Sequence, residues 1–306
     1  MTALVSVLCV SYNDLPHLER LFQSLDEQSF QDFEVIVVDN AQNASVQEFV
    51  EAKARGHRRI VYVPNANEGY TGGNVVGMKF TKGDYVMITN PDTFLERNAI
   101  EILVRDFKRQ PKKVMVLVPK ILIRQTDIIN SIGMKKVRPS ENIYTNIGYL
   151  EHDAGQFDLP EEVQAFDGSA FMFRKQLLHH TYLFDPRFFF GNETVDLAER
   201  MAKIGFVAYT CPQAIVRHHL RATVTSSKQN DRLTAIIVRN SLIHTLRNTD
   251  FPMFLRTLIL GICFRNILGR IVTGQSPRTG VLYLRGLIMF LTQLGKFTGQ
   301  PYAMNQ

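Results

Sequence analysis

The chain opens as a series of short apolar runs set between polar stretches with helical spacing. Leu4-Val5-Ser6-Val7-Leu8-Cys9-Val10 reads as a strand, closed by the polar loop Ser11-Tyr12-Asn13-Asp14. Leu18, Leu21, Phe22 and Leu25 then recur at helical spacing across Leu15 to Gln28. Glu34 to Val38 is a second strand ending at Asp39-Asn40, Val46 to Arg55 a second helix, and Ile60 to Val63 a third strand. This alternation predicts parallel pairing through right-handed crossovers. Gly69-Tyr70-Thr71-Gly72-Gly73-Asn74 leads into more helical spacing. Tyr85 to Thr89 is another buried strand, and it ends at Asn90-Pro91-Asp92 because Pro91 has no N–H to give a sheet ladder.

Farther on, the pattern predicts a helix over Ala99 to Arg109 and a strand over Val114 to Pro119. From about Ile121 to Gln164 a mixed, polar stretch suggests small hairpins over the site. Phe166 to Ser169 reads as a turn feeding a strand through Phe173, followed by a helix from Asp196 to Gly205 and a strand from Phe206 to Tyr209. Thr223 to Thr249 is helical in pattern. Phe254 to Val272 shows no clean polar face, whereas Gly280 to Thr298 predicts an amphipathic helix. Arg285, Thr292, Gln293 and Lys296 lie on one side of it, and Leu284, Leu287, Ile288 and Leu291 supply much of the other.

Composition adds three constraints. Hydrophobic residues are 45% and charged residues 21% of 306, which supports a packed core rather than disorder. Cys9, Cys211 and Cys263 are far apart and form no C-x-x-C pair, so a cysteine-built zinc site is not indicated and a reducing cytoplasm is expected. The net charge of +6 is uneven: no Asp or Glu follows Phe251, while Arg and Lys do. A localised basic and apolar tail suits an anionic membrane surface better than nucleic acid. No run of 18 apolar residues survives in it, so the expectation is surface contact and not a span. A dimerisation or core-covering role for the same helices is the competing reading. The opening apolar segment lacks the flanks of a secretory signal.

The candidate chemistry sits where the strands end. Asn13-Asp14, Asp39-Asn40 and Asn90-Pro91-Asp92 close three strands whose carboxyl ends share one edge in a parallel sheet, the edge where open α/β sheets bind ligands. A carboxylate there, such as Asp92, suits a divalent cation held against a diphosphate; it also suits a plain solvated turn. The Gly69–Asn74 stretch permits close backbone approach to a phosphate, or a tight turn before a helix, and matches neither a dinucleotide fingerprint nor a P-loop. Glu193 and Asp196 stand at a helix start, where a carboxylate is either a general base or an ordinary dipole partner. His218-His219 could complete a cation's coordination.

Together these segments resemble family 2 glycosyltransferases of the GT-A fold, and most of all the branch with rhamnosyl- and galactofuranosyltransferases. The resemblance is carried by Val7 to Asn13, Val35 to Asn40, Asn67 to Asn74, Asn90-Pro91-Asp92 in place of a D-x-D element, Gly168 to Met172 and Arg239-Asn240, and covers about residues 3 to 245. It implies a Rossmann-like mixed sheet flanked by helices, with a catalytic domain over 1–220 and a C-terminal helical appendage over 221–306. It implies inverting transfer from a nucleotide-diphosphate sugar to a saccharide or lipid-linked acceptor in cell-surface polysaccharide synthesis, with Mg²⁺ or Mn²⁺. The enzyme would be cytoplasmic and peripheral on the inner face of the membrane through its C-terminal helices, and homo-oligomers are a further possibility. By position, Ser11, Tyr12, Asn13, Asp39, Asn67, Gly69, Gly73, Asn74, Asn90 and Asp92 would bind the donor, and Gly168 and Ser169 would lie on the acceptor side. Asp92 with His218, or alternatively His219, would hold the metal. The family's Glu-Asp-x-Asp element reads Glu193-Thr194-Val195-Asp196 here. Glu193 is therefore the first candidate base and Asp196 the second, and a binding protein that has lost turnover is the rival reading.

Overall fold

The computed structural model describes residues 4–56, 59–138, 143–219, 227–269 and 277–297. Its first half follows the predicted alternation: β1 (Val5–Ser11), α1 (Leu15–Asp26), β2 (Phe33–Asp39), α2 (Ala44–Ala54), β3 (Ile60–Pro64), α3 (Gly69–Met78) and β4 (Tyr85–Thr89). Next come β5 (Thr93–Leu95), α4 (Ala99–Arg109), β6 (Val114–Ile123) and the short strands β7 (Ile129–Ser131), β8 (Met134–Arg138), β9 (Ile143–Asn146) and β10 (Glu162–Val163). β11 (Ala170–Arg174), α5 (Glu193–Lys203) and β12 (Val207–His218) complete the sheet. The tail holds α6 (Ser227–Asn248), α7 (Phe251–Arg256), a π-helical segment Thr257–Gly269, and α8 (Pro277–Phe297).

The sheet runs β10-β12-β6-β11-β4-β1-β2-β3, with β5 on β12 and β7 on β6. Pairings β1–β2, β2–β3, β1–β4 and β6–β12 are parallel, while β11 is antiparallel to both β4 and β6. All the long strands except β11 therefore point the same way. Their carboxyl ends, and the amino end of β11, meet at one edge. Period-2 alternation divides the core between the two faces. Val5, Val7 and Cys9 of β1 face α1, α2 and α4, and Leu8 faces α3 and α5.

Three expectations change. The glycine-rich stretch is already helix: α3 starts at Gly69. A Cβ on Gly73 would lie 2.6 Å from Val10 Cγ1, and one on Gly77 would run into Leu8. These glycines let α3 lie close on β1 and β2. β12 is far longer than the predicted strand at Phe206 to Tyr209 and carries the chain to His218. The last helix divides its residues differently from the predicted faces, because Leu287, grouped with the apolar side, and Gln293, grouped with the polar side, both turn inward. Gly286 and Phe290 face inward, with Tyr283, Leu287 and Leu294 packed beside them, whereas Val281, Leu284, Ile288 and Leu291 are exposed. Gln293 turns inward because Arg239 Nη1 donates to its Oε1 at 2.8 Å. The predicted helix at Thr223 begins outside the described residues, as do parts of the stretches ending at Val272 and Thr298.

Candidate active site

The shared sheet edge collects most of the polar strand ends. The Asn90-Pro91-Asp92 turn is pinned on both sides. The Asn90 N–H donates to the Ser169 carbonyl at 2.8 Å, and Thr93 Oγ1 donates to the Asn90 carbonyl at 2.8 Å. Thr93 opens β5, which pairs antiparallel with the end of β12 so that Thr93 faces His218. That register sets His218 Nε2 3.3 Å from Asp92 Oδ1. Burial lowers the His218 pKa, but the Asp92 carboxylate outweighs it and the net shift is upward. His219 is placed differently. Its N–H donates to the Asp92 carbonyl, while its ring lies 5.1 Å from that of His17. Of the two histidines, His218 presents its ring to the carboxylate.

Asp92 and His218 supply one carboxylate oxygen and one imidazole nitrogen to the same point. Among the described residues no group of three His, Cys, Asp or Glu side chains could hold a metal ion. The pair fits a hard divalent cation of the kind that takes one or two protein ligands and fills its shell with substrate phosphate oxygens and water. A cavity of about 120 Å³ beside Asp92 is lined by His17, Arg20 and Arg124 among others.

Across this edge stands Glu193, the first residue of α5. It is 6% exposed, and its Oε2 has no hydrogen-bond partner. Burial pushes its pKa from 4.5 to about 7, the neighbouring Asp167 and Asp196 add to the rise, and the backbone amides of Glu193 and Gly191 oppose it. A buried carboxyl with one free oxygen and a pKa near neutrality has the properties of a general base. Gly168 lies against it: a Cβ there would sit 3.3 Å from Glu193 Oε1. Tyr70 Oη donates to the Gly168 carbonyl at 2.5 Å and fixes that turn.

Asp196 has a different environment. Arg200 Nε donates to its Oδ2 at 2.8 Å, Asn248 Nδ2 to its Oδ1 at 3.3 Å, and His244 stands 3.9 Å away. Burial would raise its pKa, but His244 and Arg200 outweigh this and hold it well below the usual carboxylate range. So weak a base, already engaged, makes Glu193 the better candidate. Thr194 beside it is buried and brings no carboxylate.

On the β1–β2 side, Asp39 is fully buried. Its Oδ1 accepts from the Ala41 N–H at 3.0 Å, and its Oδ2 from the Asn43 N–H at 2.7 Å and Tyr62 Oη at 3.0 Å. About one lone-pair site of four remains for a ligand. The exposed groups there are Tyr12 and Asn13, the latter at φ 53°. Ser11 Oγ and Asn74 Oδ1 are buried and unpartnered. Asn67 Oδ1 accepts from the Gly69 N–H at 3.1 Å. Asn40, absent from the predicted set, donates to the Gly69 carbonyl at 2.8 Å and ties β2 to α3.

Asp167 is the main residue that the sequence reading passed over. It acts electrostatically on both His218 and Glu193, which puts its carboxylate near each of them. Its Oδ1 accepts from the Ser169 N–H at 2.8 Å and from the Ser169 hydroxyl. An Asp in the turn three residues ahead of a strand at the site edge was the available signal.

The family model described as Glycosyl transferase family 2 matches residues 6–181. An N-acetylglucosaminyl-diphospho-decaprenol L-rhamnosyltransferase of Mycobacterium tuberculosis is 26% identical over 245 residues, which is 72% of this chain and 77% of the relative. Among solved structures, a mannosyltransferase from Pyrobaculum calidifontis in complex with GDP-Man and Mn²⁺ is 15% identical and superposes with a TM-score of 0.59, over 95% of this chain and 88% of that one. GalNAc-T7 with UDP, GalNAc and Mn²⁺ is 16% identical, with a TM-score of 0.62 over 80% of this chain. The match spans about half of that longer protein, 48%. The structural likenesses establish the GT-A fold.

Proposed function

The chain belongs to glycosyl transferase family 2, and from that premise we propose that it transfers a sugar with inversion from a nucleotide-diphosphate donor to a saccharide or lipid-linked saccharide acceptor. The rhamnosyltransferase relative favours a rhamnose-like donor sugar, with a galactofuranose-like one as the alternative. The observation that carries the reading is a buried carboxyl, Glu193 with its free Oε2, packed on the Gly168–Ser169 turn that also holds the Asn90-Pro91-Asp92 turn and its Asp92–His218 pair.

Asp92 and His218 would hold Mg²⁺ or Mn²⁺, which when bound offsets the charge that develops on the departing diphosphate. Glu193 Oε2 takes the proton of the acceptor hydroxyl. The resulting oxygen attacks the anomeric carbon opposite the leaving group in a single displacement, with no covalent intermediate. Gly168 and Tyr70 keep the base's surroundings fixed, and burial keeps bulk water off the carboxyl. The donor's nucleotide would lie along the edge formed by Tyr12, Asn13, the Asp39 loop and the first turn of α3.

We assign residues 1–220 to the catalytic domain and 221–306 to a helical region that rests on a cytoplasmic membrane surface. The exposed apolar stripe Val281, Leu284, Ile288 and Leu291, with exposed Arg285 beside it, supports surface contact. Among the described residues, no helix is long and apolar enough to cross a membrane. Thr194 favours a second reading, a nucleotide-sugar-binding protein without turnover.

The test is a panel of nucleotide-diphosphate sugars with Mg²⁺ or Mn²⁺ and prenyl-diphosphate-linked acceptors, with the product's anomeric configuration read by NMR. Transfer with inverted configuration is expected. Retained configuration refutes the displacement. Donor binding by calorimetry, with no transfer or hydrolysis anywhere in the panel, selects the binding-protein reading.

A further inference from the structure

The segment just ahead of Glu193 follows an unusual backbone path. Phe189 has φ 63° and ψ −57°, Gly191 has φ 85°, and Asn192 has φ 69°. Two non-glycine residues at positive φ so close together persist only when their surroundings hold them. No side chain caps the start of α5.

The hold comes from α6, in the C-terminal region. Asn240 is completely buried, and its Nδ2 donates to the carbonyls of Phe188, Phe190 and Gly191 at 2.8, 2.8 and 2.9 Å. Its Oδ1 accepts from Arg239 Nε at 3.0 Å and Nη2 at 2.8 Å, which fixes the amide's orientation with its N–H groups toward the loop. Arg239 Nη2 also donates to the Arg187 and Phe188 carbonyls at 3.1 and 3.0 Å. The next residue of α6 takes part as well: Asn192 Nδ2 donates to Ser241 Oγ at 2.7 Å. On the opposite side the first turn of α3 closes the clamp. The Thr71 N–H donates to the Phe189 carbonyl at 3.2 Å, and a Cβ on Gly69 would strike the Phe189 carbonyl and ring. The loop is therefore held between a donor-side helix and a C-terminal helix.

We propose that Arg239 and Asn240 are positioning residues for the transfer reaction. They fix the carbonyls of Arg187, Phe188, Phe190 and Gly191 and thereby set where the carboxyl of Glu193 stands and which backbone amides it meets. The inference rests on Glu193 being the base. The chemistry is specific to an amide at position 240. A carboxylate there has no N–H to offer, would face three carbonyl oxygens, and would be drawn to the Arg239 guanidinium instead. Because the Gly191 amide helps stabilise the ionised form of Glu193, releasing the loop weakens that help as well as the placement. Arg239 reaches α8 through Gln293, so the clamp also ties the active-site loop to the helix that carries the exposed apolar stripe.

The experiment compares wild type with Asn240→Asp, Ser241→Ala and Glu193→Gln in the full chain, by kcat, donor KM and the pH dependence of kcat/KM. Circular dichroism and donor calorimetry check folding. Asn240→Asp should lower kcat about 100-fold, change donor KM by less than about threefold, and move the acidic limb up by roughly one pH unit. Ser241→Ala, which removes one loop contact at a half-buried position, should shift the limb the same way by a smaller amount. If Asn240→Asp does not fold, Ser241→Ala decides alone. A limb unmoved in every folded variant, or a loss confined to KM, overturns the clamp while Glu193→Gln stays inactive. If Glu193→Gln turns over like wild type, the base assignment itself has failed, and that outcome is distinct from failure of the clamp.

Discussion

Replacing Glu193 with Gln should affect activity and stability in opposite directions, and the structure sets the size of both effects. The carboxyl is buried with a pKa raised from 4.5 to about 7. Its folded-state pKa lies above its unfolded value, so the unfolded chain ionises first as pH rises. Between pH 4.5 and about 7 the folded state therefore loses stability, and above that the loss is constant. At roughly 1.4 kcal/mol per pH unit the cost of keeping this carboxylate charged in the core is about 3 kcal/mol. Glutamine has nearly the same shape and no charge. Glu193→Gln should therefore be more stable than wild type at pH 8, by up to about 3 kcal/mol, and close to equal at pH 4.5. Urea unfolding at the two pH values reads this directly.

Activity should move the other way. General base catalysis contributes about 10²–10⁴-fold, so kcat should fall by that factor at pH 8 with donor affinity intact. In wild type kcat/KM should decline below about pH 7 as Glu193 takes up a proton, and residual activity in the variant should lack that limb. A variant that is inactive but gains no stability at pH 8 would mean that the carboxyl is not desolvated as its burial implies. A variant that is stabilised but fully active would remove Glu193 from the reaction.

Four further outcomes follow from the same geometry. Asp92→Asn should abolish the metal-stimulated part of the rate and weaken Mn²⁺ binding in the presence of nucleotide diphosphate at least tenfold by calorimetry; equal metal affinity would detach Asp92 from the cation. Gly73→Ala should cost about 1–3 kcal/mol, because its Cβ would meet Val10 Cγ1 at 2.6 Å; unfolding at the wild-type denaturant midpoint would contradict the close packing of α3 on β1. His244 is buried between Asp196 and Glu199, which outweigh burial and raise its pKa. Its contribution is present in full below about pH 6.5 and is lost as pH rises through the raised folded value. His244→Gln should therefore destabilise by about 3–5 kcal/mol at pH 6 and by less at high pH, and a pH-independent difference would be inconsistent with an imidazolium there. Leu284→Asp with Ile288→Asp should reduce co-sedimentation with anionic vesicles; unchanged binding would place the membrane contact elsewhere.

The fold was legible where one physical signal dominated. β1, β2 and β4 are buried runs of Val, Ile, Leu and Met, and each ends in residues that break a ladder or stay solvated, so their positions followed from pattern alone. The helix predicted over Ala99 to Arg109 is the helix observed, because Ile100, Leu103, Val104 and Phe107 leave one periodic solution. The three residues of β5 were too short to register. The direction of β11 was hidden as well, since local pattern fixes that a segment is extended but not which way it runs. Among candidate site residues, the position of Asp92 at a strand's carboxyl end was legible from Pro91. The choice between His218 and His219 was not. Adjacent strand residues point to opposite faces, and the β5–β12 register decides which one meets Asp92.

The glycines and the tail show why the remainder stayed out of reach. A glycine marks a place where backbone comes close to something, and sequence does not say to what. At Gly73 it is Val10, at Gly69 Phe189, and at Gly168 the carboxyl of Glu193. Only the last meets a candidate catalytic group. The tail was readable as helices but not as part of the site, because its link is a set of buried hydrogen bonds to carbonyls that have no sequence signature of their own. Phe188 packs among Val238, Leu242, Ile243 and Phe254 of the C-terminal cluster, while Val195 and Leu197, a few residues on, pack in the cluster under the sheet. The loop that carries Glu193 thus bridges two cores. A carboxyl held at that junction is sensitive to both, so a domain boundary proposed near residue 220 would cut through the support of the candidate base.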